Sequence, residues 1–391
     1  MLRLRKRFVS PRMAALSMTN IKTIGGVRLR EMARWDGFRA LAWAGDVLYA
    51  SRGYEVFRAR FPEDAAGKAG SATALASLRS GRNDNDFFQK VAGFDAPLWR
   101  KATWRVKLAN RLVRDGFHAL AVGPSGALVG AVPGAMVTCA AGEATFRATH
   151  VISRGTRPLN IAVNPAGTFF WGEYFDNATR EAVHIYASSD FGRSWQVAYT
   201  FAKGAIRHVH NIVYDRWRDC LWILTGDYGA ECRILQAKCD LSGVHEVLSG
   251  NQQARAVACI PAEDGLYFST DTPLEENSIC RLSDSGEITR LAAISSSSIY
   301  GCRTRSAMFF SSMVEPSDVN RDPHVRVYGS GDGQNWSAEL EWRKDRWPMK
   351  YFQYGNAFLP SGENRTDVLA VTTMAVDGVD GGMSLYRVQE R

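Results

Sequence analysis

Asp36-Gly37-Phe38-Arg39-Ala40-Leu41-Ala42 recurs almost unchanged as Asp115-Gly116-Phe117-His118-Ala119-Leu120-Ala121. In both copies an Asp-Gly pair, which is typical of a turn, leads into a short apolar run. Internal similarity of this kind is the sequence signature of repeat architectures. The pair therefore indicates a protein built from repeated strand-containing units.

The same unit can be followed along the whole chain. An apolar run, a short turn and a second apolar run recur roughly every 40–50 residues, and a third run follows. The second runs are Val47–Ser51, Leu128–Val132, Phe169–Glu173, Leu221–Thr225, Leu266–Thr270, Met308–Ser312 and Val368–Thr372. The third runs are Glu55–Arg58, Met136–Cys139, His184–Ala187, Arg233–Gln236, Ser278–Arg281, Val325–Tyr328 and Ser384–Arg387.

This pattern predicts an all-β chain that folds as a seven-bladed β-propeller, because there are seven units of about four short strands and almost no helical periodicity. The last unit ends after its third strand, and Thr23–Leu29 can supply the missing strand from the N-terminus. We expect this strand to close the ring and leave no open edge. The predicted propeller is a single domain, residues 21–391, with an insertion at about residues 62–98. Trp99–Trp104 is expected to lead back into a strand.

Charge and composition restrict the partners. The net charge of +8 is spread along the chain, and its densest basic run lies within residues 1–20. We expect a disordered tail there, because the apolar part is too short for a signal peptide. No run approaches the ~20 apolar residues of a membrane helix, and no basic stripe with interleaved aromatics indicates nucleic-acid binding.

The cysteines indicate the redox environment. There are seven, an odd number, and none forms a CxxC motif, which predicts reduced thiols and a cytoplasmic protein. The oligomeric state stays open.

Polar residues recur where the propeller would have its central funnel. In a propeller the starts of the first strands and the ends of the second strands lie on the same face. Acidic residues at the ends of four successive second strands are unexpected, because strands disfavour Asp and Glu. The second-strand ends carry Arg52, Glu173, Tyr174, Asp227, Asp271 and Glu315. The first-strand starts carry Arg39, His118, Asn160, Arg207, His208, His210, Asn211, Arg255, Tyr300, Tyr354 and Asn356.

The densest of these groups is Arg207-His208-Val209-His210-Asn211. In a strand the two histidines project to the same side. They could transfer protons, stabilise the sheet or, with Asp227 or Glu173, bind a divalent ion. Because no local ligand motif supports the last option, the sequence predicts neither a metal nor a cofactor.

Two turn motifs carry a resemblance to a known family. Ser188–Trp195 has the spacing Ser-x-Asp-x-Gly-x-x-Trp of the Asp-box, and Ser330–Trp336 is a copy one residue shorter. On these motifs the chain resembles the Asp-box (BNR-repeat) propellers of the sialidase-like superfamily. The block from Gly172 to Ala256 is similar to uncharacterised bacterial propellers found with surface-polysaccharide genes.

Sialidases bind the sialate carboxylate with three arginines, use a Tyr–Glu pair as nucleophile and use an Asp as acid. In this sequence the resemblance implies that Arg39, Arg52, Arg255 and Arg303 could supply the arginines, and that Tyr354 or Tyr300 could supply the tyrosine.

We therefore expect a glycoside hydrolase that acts in the central funnel on an acidic bacterial surface polysaccharide or its precursor. Glu173 and Asp227 would form the carboxylate pair, assisted by His208, His210 and Tyr174. The substrate would be bound by Arg207, Asn211, Arg255, Arg52, Asp271, Glu315, Tyr300 and Tyr354. Two alternatives stay open: a uronate lyase with His210 as base, and a non-catalytic propeller that binds a glycan or a protein.

Overall fold

The prediction of a seven-bladed β-propeller is confirmed by the computed structural model, which describes residues 27–61 and 87–390. Five blades are separate four-stranded sheets, and the other two are joined in one larger sheet. The predicted basic tail, residues 1–20, and most of the predicted insertion lie outside the described residues.

The strands follow one another from blade to blade. After β1 (Val27–Asp36), blade 1 contains β2 (Arg39–Gly45), β3 (Val47–Arg52), β4 (Glu55–Arg60) and β5 (Gln89–Phe94). Blade 2 contains β6 (Ala119–Val122), β7 (Leu128–Val132), β8 (Ala135–Cys139) and β9 (Thr145–Val151). Blade 3 contains β10 (Ala162–Val163), β11 (Phe169–Gly172), β12 (Val183–Ser188) and β13 (Gln196–Phe201).

The remaining blades repeat the arrangement. Blade 4 contains β14 (His208–Asp215), β15 (Cys220–Gly226), β16 (Arg233–Lys238) and β17 (His245–Ser249). Blade 5 contains β18 (Ala256–Ala262), β19 (Gly265–Thr270), β20 (Asn277–Leu282) and β21 (Ile288–Ile294). Blade 6 contains β22 (Ser298–Arg303), β23 (Met308–Ser312), β24 (His324–Ser330) and β25 (Ser337–Arg343). Blade 7 contains β26 (Asn356–Phe358), β28 (Val368–Met374) and β29 (Gly382–Glu390), and β27 (Ser361–Asn364) runs beside β2.

The first and last strands close the ring. β1 pairs antiparallel with β29 from Val27 opposite Glu390 to Asp36 opposite Gly382, and thereby becomes the outermost strand of blade 7. The predicted closing strand is therefore present in its described part, and residues 23–26 lie outside that part.

The core consists of apolar layers between neighbouring blades. Phe170 and Ile185 of blade 3 pack with Ile212 and Ile223 of blade 4, and each is at most 2% exposed. Full burial of such a side chain contributes about 1.5–3 kcal/mol. The second strands are covered on both faces, and all seven residues of β15 are buried. This explains why these strands read as continuous apolar runs instead of alternating ones.

A β-bulge recurs near the funnel end of the first strands. The register between first and second strands shifts at Ala40/Ala42, Val209/Asn211, Ala256/Ala258 and Ser298/Tyr300. A bulge adds one unpaired residue and re-aims the side chains around it. In blade 4 the extra residue is His210, so the bulge helps to set the direction of this imidazole.

Two helices occupy the stretch that was expected to lead directly back into a strand at Trp99–Trp104. α1 (Leu98–Arg105) and α2 (Lys107–Val113) connect blades 1 and 2, and α3 (Met349–Phe352) precedes β26. The next strand begins only at Ala119. The two tryptophans of α1 favour strands, whereas Arg100-Lys101-Ala102 between them favours helix. Within the range predicted as an insertion, Gln89–Phe94 instead forms the fourth strand of blade 1.

Single-turn 3-10 helices at Gly229–Glu231 and Gln252–Ala254 complete the described elements. No helix of the described ranges is long and apolar enough to cross a membrane. All seven cysteines are free thiols; six are buried and Cys239 is half-buried.

Candidate functional site

Two histidines and an aspartate converge at the start of blade 4. The Nε2 atoms of His208 and His210 lie 3.1 Å apart, and Oδ1 of Asp227 lies 3.5 Å and 3.2 Å from them, respectively. All three residues are buried. β14 begins with the histidines and Asp227 follows β15, so adjacent strand ends position all three side chains.

Backbone carbonyls fix both imidazoles from behind. Nδ1 of His208 lies 3.0 Å from the Phe175 oxygen, and Nδ1 of His210 lies 3.0 Å from the Ala256 oxygen. Since a carbonyl can only accept, each Nδ1 carries the proton. Burial lowers the pKa of His210, and the neighbouring carboxylate of Asp227 opposes this shift. Burial by itself raises the pKa of Asp227, but its contacts with His208 and His210 more than offset this effect and keep the pKa below its usual range.

Two arginines contact the same aspartate. Nη1 of Arg207 lies 3.2 Å from Oδ2 of Asp227, and Arg207 also pairs with Asp176. Nη2 of Arg255 lies 3.4 Å from both Oδ1 of Asp227 and Oδ2 of Asp271. The guanidinium of Arg255 therefore links the aspartates that follow the second strands of blades 4 and 5.

Asp271 and Glu315 form an electrostatically coupled carboxyl pair on this side of the funnel. Burial raises the pKa of Asp271 to about 8, Arg255 opposes the shift, and the charges of Glu315 and Asp227 reinforce it. Glu315 is half-buried and has no ion-pair partner among the described residues. Asp271 is therefore largely protonated near neutral pH.

Tyr174 interacts electrostatically with this acidic side and with a second, cationic side of the funnel. Its ring centroid is 4.3 Å from that of His208. Burial raises the pKa of Tyr174 to about 12, and the charges of Asp271 and Asp227 act in the same direction. Tyr174 also acts electrostatically on Arg157, which belongs to the cationic side.

The cationic side surrounds a cavity of about 160 Å³. Four arginines line it, together with His118 and Tyr300. One of them, Arg111, pairs with Asp345. The other three are Arg39 at the start of β2, Arg114 after α2, and Arg157 before β10. Burial lowers the pKa of Arg157 to about 10, and the charges of Arg39 and Arg114 add to this effect.

No carboxylate neutralises these three arginines in the described part of the chain. Two acids line the cavity, and both have other partners. Asp115 accepts a hydrogen bond from Tyr54 at 2.8 Å and pairs with Arg100, and Asp380 lies 3.6 Å from Arg111. The cavity thus gathers positive charge without a resident counter-ion, which is the arrangement of an anion-binding site.

His118 orients the cationic group. Its Nε2 lies 2.6 Å from the Arg114 carbonyl and must therefore donate, which leaves Nδ1 to accept from Nη1 of Arg39 at 3.4 Å. The cations of Arg157 and Arg39 add to burial in holding the pKa of His118 well below its ordinary value. His118 is therefore neutral. The guanidinium of Arg39 also stacks on Phe358 at 4.0 Å.

Helix α2 forms one wall of the cavity, and a buried ion pair holds it in place. Arg111 of α2 pairs with Asp345 and donates from Nε to the Phe352 carbonyl at 2.8 Å. Asp345 and Phe352 belong to the connection between blades 6 and 7, so the ion pair attaches the helical segment to a part of the chain that lies beyond blades 1 and 7 in the ring.

The predicted pairing of Glu173 with Asp227 needs correction, because Glu173 has other partners. Both of its carboxylate oxygens face Arg154, with Nε 2.9 Å from Oε1, and Oε2 accepts from the His184 amide at 2.8 Å. Neighbouring residues at a strand end point to opposite sides. Tyr174 faces the funnel histidines, and Glu173 therefore points into the blade.

Other predicted residues lie around the site with different roles. Asn211 bridges blades: it donates to the Val257 carbonyl at 2.8 Å and accepts from Asn160 at 3.0 Å. Tyr300 lines the cationic cavity. The structure does not bring three other candidates to the cavity wall: the exposed residues Arg52, Tyr354 and Arg303.

Three cavity arginines, Arg111, Arg114 and Arg157, were not among the predicted site residues. Arg114 was missed because its position depends on the unpredicted helices. Arg157 lies in the loop before β10, and a signal for it does exist. Arginines also stand at or directly before the first strands of other blades, as Arg39, Arg207 and Arg255 do.

The two turns with Asp-box spacing lie away from the site, between third and fourth strands. In the first, Oγ of Ser188 donates to Oδ1 of Asp190 at 2.7 Å and accepts from the Gly192 amide at 2.8 Å. In the second, Ser330 bonds Asp332 at 3.0 Å and the Gly333 amide at 2.9 Å. These bonds stabilise tight turns and contribute no group to the funnel.

Comparison with known proteins extends to the fold alone. No protein-family model and no curated protein matches the chain. The fold is similar to a chain in the crystal structure of the mitotic checkpoint complex, with 11% identity, a TM-score of 0.53, and coverage of 98% of this chain and 99% of that chain. It is also similar to the WD40 β-propeller domain of Doa1, with 9% identity, a TM-score of 0.51, and coverage of 92% and 97%. Propellers host many activities, so function must be argued from the site.

Proposed function

We propose that the protein is a glycoside hydrolase that binds an acidic saccharide in its central funnel. The observation that carries this proposal is the cavity lined by Arg39, Arg114 and Arg157, which have no acidic partner among the described residues. Like charges held together in a half-buried site repel one another, and a bound anion removes that repulsion. A planar carboxylate on a sugar fits guanidinium groups because each can donate two parallel hydrogen bonds.

Asp271 and Glu315 are the proposed carboxyl pair, in place of Glu173 and Asp227. A hydrolase needs one protonated and one ionised carboxyl group, and environments that separate two pKa values assign those roles. Asp271 retains its proton near neutral pH, because burial and the neighbouring charge of Glu315 raise its pKa. Glu315 is more exposed and has no ion-pair partner in the described ranges.

The chemistry assigned to the pair is ordinary glycoside hydrolysis. Asp271 donates its proton to the glycosidic oxygen as the bond to the sugar carbon breaks. Glu315 accepts a proton from the water that attacks this carbon. The products are two saccharides that together contain the added water. Arg157 interacts electrostatically with Tyr174, and Tyr174 with Asp271, so a sugar whose anionic group lies among the arginines can extend toward the acids.

The test combines binding and product formation. The full-length protein is incubated with sialyllactose, oligogalacturonate and alginate oligosaccharides, and new reducing ends are measured. We expect Asp271→Asn and Glu315→Gln to bind the hydrolysed saccharide but form product at least about 100-fold more slowly, which is the usual range for the loss of a general acid or base. Arg157→Ala should weaken binding instead. Glu287→Gln, on an exposed turn, is the matched control and should behave like the wild type.

Two results would contradict the proposal. Equal rates for wild type, Asp271→Asn and Glu315→Gln would exclude these acids. Failure of every acidic saccharide to bind would exclude the cationic cavity as a substrate site.

A uronate lyase is the second candidate. Tyr300 takes the place of the predicted base His210, because Tyr300 lies beside Arg39 and Arg157 in the cavity and His210 is not one of the cavity-lining residues. A lyase needs a base next to groups that neutralise the uronate carboxylate. It would leave an unsaturated sugar that absorbs ultraviolet light, and Tyr300→Phe would abolish that product. Reducing ends without ultraviolet absorbance would favour hydrolysis. Binding without any product would favour the non-catalytic propeller.

A further inference from the structure

The geometry points to a divalent metal site at His208, His210 and Asp227, of the class that takes imidazole and carboxylate ligands, such as Zn²⁺. The inference does not depend on the proposed hydrolase activity, because metal binding can be measured directly.

The first argument is the direction of the lone pairs. Both Nδ1 atoms donate to backbone carbonyls, which leaves the Nε2 atom of each imidazole as the nitrogen that can bind a metal ion through its lone pair. These two lone pairs and the Oδ1 atom of Asp227 face one another within 3.5 Å. Nη2 of Arg255 lies 3.4 Å from Oδ1 of Asp227, but among the described residues the two Nε2 atoms contact only each other and Asp227. One proton can satisfy only one edge of this triangle, whereas a cation at its centre satisfies all three.

The second argument is the spacing. The three edges measure 3.1 Å, 3.2 Å and 3.5 Å. Ligands bound to zinc at 2.0–2.1 Å in a tetrahedral arrangement lie about 3.3 Å from one another. The donor atoms thus already have the separations that a bound ion requires, without any rearrangement of the strands.

The third argument is the support behind the ligands. Metal-binding histidines usually donate their other ring nitrogen to a carbonyl or a carboxylate, which fixes the ring and its tautomer. Both imidazoles have such a partner, and Oδ2 of Asp227 is bound by Arg207 at 3.2 Å. Among the residues that the structure describes, this is the one group of three or more potential ligands that converges in this way.

The site would have an open side. Three protein ligands leave at least one coordination position for water or another ligand, as in catalytic zinc sites. Tyr174 covers His208 with its ring, and the acidic side of the funnel lies next to it. The open position would therefore face the funnel and not the interior of a blade.

Metal titration tests the inference. The full-length protein is treated with a chelator, dialysed and titrated calorimetrically with Zn²⁺, and bound metal is measured by elemental analysis. We expect one equivalent for the wild type and affinity lower by at least about 100-fold for His210→Ala and Asp227→Asn, because removing even an outer partner of a ligand can have this effect. His245→Ala is the control, since this exposed histidine lies on an outer strand.

Folding and ligand identity are checked separately. Far-ultraviolet circular dichroism of each metal-free variant must match the wild type, and the milder His208→Gln replaces any variant that does not fold. Co²⁺ should give the intense visible bands of a tetrahedral site in the wild type and not in these variants. Two results would overturn the inference: a wild type that takes up no zinc after chelator treatment, or folded ligand variants that bind zinc as tightly as the wild type.

Discussion

Arg111 of α2 and Asp345 of the connection between blades 6 and 7 form a buried ion pair across the funnel face. Their side chains are 3% and 10% exposed, and the guanidinium also donates to the Phe352 carbonyl. The pair joins segments separated by more than half of the chain. It therefore couples the position of the helices, and hence of Arg114, to the last part of the ring.

Arg111→Ala should destabilise the protein by about 2 kcal/mol or more, because it removes the bonds of a buried guanidinium to Asp345 and to the Phe352 carbonyl, although Lys344 still pairs with Asp345. Urea unfolding followed by tryptophan fluorescence measures the change. Arg60→Ala is the matched control: it breaks a pair with Asp46 whose arginine side chain is 71% exposed, and it should change stability by less than about 1 kcal/mol. Equal effects of the two substitutions would refute a structural role for the buried pair.

Gly192→Ala should destabilise the protein more than Gly204→Ala. Both glycines have positive φ, at 80° and 86°, so each alanine incurs a backbone penalty of about 1–2 kcal/mol. A Cβ at Gly192 would also lie 2.7 Å from Cγ2 of Val129, whereas nothing lies within 4 Å at Gly204. We expect about 1–3 kcal/mol of additional destabilisation from this overpacking, measured by thermal unfolding. Similar losses for both variants would contradict the close contact.

Asp271→Asn should alter the pH dependence of stability. The pKa of Asp271 is about 8 in the folded protein and about 3.9 in an unfolded chain. Between these two pH values the folded state therefore binds one proton more than the unfolded state. The free energy of unfolding of the wild type consequently falls as pH rises from about 4 to about 8. Glu315 and Asp227 reinforce this effect, and Arg255 reduces it.

The asparagine variant lacks this titration. Its stability relative to the wild type should therefore increase across the same pH range and stay constant above it. Urea unfolding at several pH values provides the measurement. Parallel pH profiles for the two proteins would mean that Asp271 is ionised in the fold throughout that range.

Arg157→Gln should stabilise the protein at low ionic strength, by about 1 kcal/mol, because it removes repulsion with Arg39 and Arg114. The gain should disappear at high salt, which screens the repulsion. Added phosphate should stabilise the wild type more than the variant. Arg193→Gln, at an exposed position, is the control. A loss of stability at every salt concentration would show that Arg157 is structurally required and not merely repelled.

The fold followed from the sequence because each blade repeats the same apolar pattern. Leu128–Val132 and Met308–Ser312 were predicted with the bounds that the strands have. Second strands are buried on both faces, so their signal is strong even in short segments. The helices at residues 98–113 were missed because the tryptophans of α1 favour strands, and because contacts with residues distant in sequence, such as Arg111 with Asp345, help to fix the helices in place.

The sequence predicted where the site lies in the propeller, but it predicted the directions of the individual side chains less well. Strand ends placed His208, His210 and Asp227 on one face, and the structure brings them together. The side on which Glu173 lies depends on the local alternation with Tyr174, and the direction of His210 depends on a bulge. Arg157 lies in a loop before its strand, where strand periodicity gives no information and only the recurrence of arginines near the starts of other first strands points to it.

The closure of the ring by β1 and β29 also has a kinetic consequence. Asp36 pairs with Gly382, so the last blade cannot form until β29 has been synthesised. Contacts between residues so far apart in sequence raise the loop-closure entropy that folding must overcome, and they slow it. During synthesis the inner blades can assemble first, while the backbone groups of β1 remain unpaired until β29 has been synthesised. Chaperones that bind exposed strands would therefore act on the nascent chain chiefly during this interval.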